Sequence, residues 1–95
     1  MAITPEKKVK QAVARLLKEA GAYYFFPATG GYGRSGVPDI VGCLDGNFFG
    51  IECKAGKNTT TALQELELEK VRKAGGIALV VNEDNVEDVQ RLVRG

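Results

Sequence analysis

Apolar residues recur at two different periods along this chain, and the alternation of the two predicts the order of its elements. Val9, Ala12, Val13, Leu16, Leu17 and Ala20 follow helical spacing, as one buried face of an amphipathic helix requires. Thr4 is placed to cap that helix, Pro5 suits its first position and Gly21 stops it. Residues 22–28, with Tyr23, Tyr24, Phe25 and Phe26, read as an aromatic-rich strand. Two further apolar runs, 39–44 and 48–54, flank Asp45-Gly46-Asn47, and an Asp-Gly pair in that setting signals a β-hairpin. A second helix is predicted over 61–74, carrying Leu63, Leu66, Leu68 and Val71, with Thr61 and Gln64 at capping-box spacing. Gly75-Gly76 ends it, 77–81 reads as a fully buried strand, and an amphipathic helix is predicted over 84–93. The order α-β-β-β-α-β-α predicts an α/β fold with a mixed central sheet flanked by helices.

The hairpin also fixes a register. If Asp45-Gly46 is a two-residue turn, facing residues sum to 91, and Asp39 lies opposite Glu52. Side chains alternate between faces, so Lys54 shares the face of Glu52. Two acids and a lysine then converge on one side of the sheet. Facing carboxylates repel, an arrangement easier to explain if a cation sits between them. A three-residue turn with a bulge would instead separate the acids.

Composition narrows the chemistry. Ninety-five residues with 44% apolar content are expected to form one compact domain spanning residues 1–95. No run approaches the roughly 18 apolar residues of a membrane span, and the first residues lack a signal-peptide core, so a cytoplasmic protein is expected. There is no histidine, which removes histidine-liganded zinc, Ser-His-Asp triads and histidine-based nucleases together. Cys43 and Cys53 fall on opposite faces of the predicted hairpin, which argues against a disulfide. Both are read as buried strand residues.

The net charge of +1 carries no global signature of nucleic-acid binding, but the distribution is uneven. Lys7, Lys8, Lys10, Arg15 and Lys18 load the first helix, either as a solvated face or as a contact surface. Glu6 lies at the end of the apolar face, where it either complements the helix dipole or points toward the hairpin acids. Residues 29–36, glycine-rich around Tyr32 and Arg34, lack the lysine and strand-to-helix context of a phosphate-binding loop. They form either a functional loop beside Asp39 or a long connection, and the rarity of long glycine-rich loops in small domains favours function.

Glu6, the run Gly36-Val37-Pro38-Asp39-Ile40-Val41, the run Phe49-Gly50-Ile51-Glu52-Cys53-Lys54, and Gln64 in the following helix together resemble the PD-(D/E)XK nuclease superfamily. The closest likeness is to the VRR-NUC (virus-type replication-repair nuclease) domain in its stand-alone phage and bacterial type, and it runs from Glu6 to Val81. The resemblance implies a restriction-endonuclease-like core. It also implies a metal-dependent, structure-selective DNA endonuclease, resembling a Holliday junction resolvase, that acts as a homodimer on branched DNA in a bacterial cell or phage-infected host. Asp39, Glu52 and the backbone carbonyl of Cys53 would hold Mg2+, with Mn2+ able to substitute, and Glu6 would complete the site through water. Hard cations take such oxygen ligands. Lys54 would position the attacking water and oppose the phosphate's charge, a role its two acidic neighbours favour over that of a base. Gln64 would orient the lysine or the substrate, besides capping its helix. Two alternatives stand beside this reading: a nuclease acting on flap, nicked or linear DNA, and a catalytically inert DNA-binding module that keeps the fold.

Overall fold

A computed structural model describes residues 3–28 and 35–92. Helix α1 spans Pro5–Ala20, capped by the Thr4 hydroxyl accepting from the Lys7 N–H and closed by Gly21 in the left-handed conformation. Strands β1 (Tyr23–Phe25), β2 (Ile40–Leu44), β3 (Asn47–Cys53) and β4 (Ile77–Val81) form one sheet in that order. β1–β2 and β2–β3 are antiparallel and β3–β4 is parallel, so the sheet is mixed. Helix α2, Ala62–Lys73, makes the crossover between β3 and β4.

The hairpin register is the one the two-residue turn dictates. Leu44 pairs with Asn47 and Ile40 with Ile51. Asp45 and Gly46 both have positive φ, 53° and 83°, the signature of a type I′ turn whose twist matches its strands. Along β3, Phe49, Ile51 and Cys53 face α1, and Phe48, Gly50 and Glu52 face the other side. The α1 side is the main core: Val9, Val13 and Leu17 pack with Ile40, Phe49, Ile51, Cys53, Leu79 and Val81. Val89 and Leu92, from a 3₁₀ helix at Val86–Leu92, close the same cluster.

On the other side α2 lies over β3 and β4. A side chain at Gly50 would meet Pro38 at 2.9 Å and Val71 at 3.6 Å, so this glycine is where the chain before β2 and α2 both press on the sheet. Across the remaining half a row of partners, Tyr23, Cys43 and Phe48, is exposed.

Several expectations change at this level. The aromatic strand is only Tyr23–Phe25, paired with Cys43, Gly42 and Val41 of β2, and Pro27, two residues on, has no N–H to extend a ladder. Cys43 is exposed and only Cys53 is buried, since Cys43 lies on the sheet half that no helix covers. Leu63 and Leu66 are exposed, leaving Leu68 as the buried leucine of α2. In β4, Val80 is partly exposed on an edge strand. The final helix is 3₁₀ rather than α; its predicted last residue, Val93, and the loop residues Tyr32 and Arg34 lie outside the described residues.

Candidate active site

Three segments meet where β2 begins and β3 ends. Gly36 brings the first of them in: it has φ of 82°, and a Cβ there would lie 2.8 Å from the Leu63 backbone. Only glycine both adopts that conformation and lets the chain lie so close to the start of α2. Pro38 then sits over Gly50, which aims Asp39 at the last residues of β3.

Continuing the hairpin register one step past Ile40–Ile51 places Asp39 opposite Glu52, as the sequence implies. The Asp39 side chain extends the ladder in place of a backbone carbonyl, its Oδ2 accepting the Cys53 N–H at 2.9 Å. Successive N–H groups of a strand point to opposite neighbours, and that of Lys54 accordingly goes to the Val81 carbonyl of β4, also at 2.9 Å. The other Asp39 oxygen, Oδ1, faces the Lys10 ammonium at 3.7 Å.

Glu52 is 2% exposed. Its Oε2 accepts from Gln64 Nε2 at 2.8 Å and lies 3.5 Å from Lys54 Nζ. Its Oε1 is buried with no hydrogen-bond partner among the described residues. A buried acceptor without a partner is costly, so this oxygen calls for a ligand. Burial pushes the Glu52 carboxyl up to about 7, the Asp39 charge adds to the rise, Lys54 opposes it, and Glu6 contributes in the same sense as Asp39. Burial likewise pushes the Cys53 thiol up to about 12, with Asp39 and Glu52 adding to it. The Cys53 side chain belongs to the core on the α1 side of the sheet, opposite to the face that carries Glu52.

Gln64 has two roles at once. Its Oε1 accepts the Thr61 N–H while the Thr61 hydroxyl accepts the Gln64 N–H, the full capping box. Its Nε2 remains for Glu52. Both a cap and a site role are expected from the sequence, the latter toward the lysine or substrate; the contact is to the carboxylate. Glu6, in the first turn of α1, is half-buried, and its charge is the smallest of the contributions felt at Glu52 and Cys53. It does not join a ligand cluster: among the described residues, no three His, Cys, Asp or Glu side chains come together as a metal-binding group.

Lys10 is the residue that the sequence reading missed. By sequence it belongs with the basic residues of α1, a solvated face or a contact surface, yet it pairs with Asp39. The available signal was its spacing: Lys10 is four residues after Glu6 and three before buried Val13, so both charges lie at one border of the apolar stripe.

A four-stranded mixed sheet between helices, with Asp39 and Glu-x-Lys converging on adjacent strands, has the restriction-endonuclease-like architecture of PD-(D/E)XK nucleases. Residues 6–90 match the profile of the archaeal Holliday junction resolvase family, Hjc, and the chain belongs to that family. A solved structure described as a VRR_NUC domain superposes with a TM-score of 0.75 at 22% identity, covering 94% of this chain and 97% of the other. No curated protein matches the chain. The protein is thus a nuclease of the PD-(D/E)XK type with the fold of a VRR-NUC domain, and such nucleases generally use divalent metals.

Proposed function

We propose that this protein is a metal-dependent, structure-selective DNA endonuclease that hydrolyses phosphodiester bonds in branched DNA, as a Holliday junction resolvase does. The observation that carries the reading is the bare, buried Oε1 of Glu52 beside Asp39. A divalent cation fits that donor set: two carboxylates from facing strands, with the Cys53 carbonyl as a third oxygen. Magnesium is the cation we assign, with manganese able to replace it, because magnesium keeps several of its own waters when held by one or two carboxylates. This suits a site in which no third acidic side chain joins the cluster. Glu6 would act through one of those waters. When bound, the cation supplies Lewis-acid stabilisation of the phosphate and an activated water.

The side chains have separable tasks in this proposal. Gln64 and Lys54 hold Glu52 by one oxygen, so that the other is presented to the cation. Asp39 is fixed through Oδ2 by the Cys53 N–H, while Oδ1 faces Lys10. Lys54, only 12% exposed at its side chain, carries a positive charge toward the phosphate and positions the water. Lys10 neutralises part of the Asp39 charge until substrate arrives.

Two features of the substrate and assembly belong to the same proposal. DNA shape rather than base sequence would direct cleavage, since the contacts foreseen are to backbone phosphates. The protein would act as a homodimer, and the exposed row of Tyr23, Cys43 and Phe48 supplies apolar surface that such an assembly could cover. Its setting would be the cytoplasm. Among the described residues no helix is long and apolar enough to cross a membrane.

The test compares a labelled four-way junction, a flap and a matched linear duplex in magnesium, with a chelator control. Preferential, chelator-sensitive cutting of the junction is the expected result. Preferential cutting of the flap, or equal cutting of all three, would replace the junction assignment with a broader nuclease. Tight binding without cutting in either magnesium or manganese would leave a DNA-binding module.

A further inference from the structure

A groove of about 660 Å³ runs along the outer side of α1, between that helix and β1. Its wall is a stripe of α1: Lys7, Lys10, Arg15 and Lys18 all line it. Its floor is Tyr24 and Phe26, and among the described residues no acidic one contributes to the lining. At about 1.5 Å per residue, the stripe from Lys7 to Lys18 is about 16 Å long.

The aromatic floor separates this groove from an ordinary solvated helix face. Phe26 is 50% exposed, while Tyr24 is half-buried against the core. The two rings meet edge to face, with centroids 6.3 Å apart at 88°, so Tyr24 braces a Phe26 ring that remains open to a ligand. Basic side chains beside an exposed aromatic ring form the combination that takes single-stranded nucleic acid: cations follow the phosphates and the ring stacks on an unpaired base. Bases inside a duplex have no free face to offer. The groove also leads to the chemistry, because Lys10 lines it and at the same time contacts Asp39.

We propose that the α1–β1 groove binds an unpaired strand of DNA adjoining the scissile phosphate, its phosphates on Lys7, Arg15 and Lys18 and one base on Phe26. The inference rests on the nuclease reading for its direction toward Asp39. It gives that reading a substrate requirement: at least one unstacked nucleotide beside the cut.

Binding of a fluorescently labelled twelve-nucleotide oligothymidine and of a matched duplex, followed by anisotropy in EDTA, tests this without any cleavage. The wild-type chain is compared with Phe26→Ala and with the double variant Arg15→Ala/Lys18→Ala. Phe26→Ala should weaken the single strand about tenfold and change duplex affinity less than twofold. The double variant should weaken single-strand binding and flatten its dependence on log salt by about 1.4, for two lost phosphate contacts. Unchanged single-strand affinity in both variants would overturn the proposal, and equal losses for single strand and duplex in Phe26→Ala would overturn the stacking site. Circular dichroism confirms folding of each variant, and the double variant alters only α1 surface positions. A chain that shows the expected binding pattern yet cuts no substrate in magnesium would keep the groove and lose the endonuclease assignment.

Discussion

Gln64 donates its Nε2 to Glu52 Oε2 at 2.8 Å while its Oε1 holds the Thr61 N–H at 2.9 Å. One side chain thus ties the start of α2 to the buried carboxylate of β3. The cap and the site can be separated by substitution. Thr61→Ala removes the cap and should cost about 1 kcal/mol of stability, with cleavage per folded molecule nearly unchanged. Gln64→Ala removes a hydrogen bond to a charged group as well, worth roughly 1.5–3 kcal/mol, and should lower the cleavage rate about tenfold or more. Chemical denaturation and single-turnover cleavage, measured on both variants, check the two halves.

Glu52 makes the metal-free protein sensitive to pH in a predictable direction. Its carboxyl titrates at about 7 in the fold against an ordinary value of 4.5, so the folded chain keeps a proton that the unfolded chain has already released. Folding is then favoured most at low pH. This contribution is fully present below about pH 4.5 and is lost as the pH rises through about 7. In EDTA, wild-type stability should therefore fall between pH 5 and 8 relative to Glu52→Gln, which lacks the titrating group. Magnesium should restore wild-type stability at pH 8 and leave Glu52→Gln unaffected. Urea denaturation across this range, with and without the cation, measures the difference.

The two cysteines should differ in reactivity. Cys43 is exposed, whereas Cys53 is fully buried with its thiol pushed up to about 12. The thiolate is the reactive form, so a thiol reagent at pH 8 should label Cys43 rapidly and Cys53 only after denaturation. Mass spectrometry of digested, labelled protein identifies the sites.

Two glycines of the hairpin should respond differently to alanine. At Gly46 an added Cβ meets nothing within 4 Å, but φ is 83°, so Gly46→Ala costs only backbone strain, about 1 kcal/mol. At Gly42 a Cβ would lie 2.1 Å from the Tyr23 carbonyl oxygen and 2.8 Å from the Phe49 ring. Gly42→Ala must displace β1 or the core, and should cost about 3 kcal/mol or more. Denaturant midpoints of the two variants give the comparison.

What could be read from the sequence follows from how each feature is encoded. The hairpin register was legible because Asp45-Gly46 fixes a two-residue turn and alternation then fixes parity, which is enough to bring Asp39 to Glu52. Thr4, Pro5, Thr61 and Gln64 were legible as caps because capping is local. Lys10 was not, because a long side chain at the border of a helix face reads as solvated until its tertiary partner is known. The exposure of Leu63, Leu66 and Cys43 was hidden for a related reason: apolar spacing shows which residues share a face, and the extent of the covering element decides whether that face is buried. The 3₁₀ form of Val86–Leu92 is likewise invisible to an apolar period that serves either helix.

The account's central claim is that Asp39 and Glu52 together hold the cation that cuts DNA. Single-turnover cleavage of a labelled four-way junction in magnesium, by wild type, Asp39→Asn and Glu52→Gln, with junction binding measured in EDTA, tests it most directly. Loss of cleavage by about a thousandfold or more in both variants, with binding in EDTA within a few-fold of wild type, is the predicted result. Cleavage by either variant at the wild-type rate would contradict it.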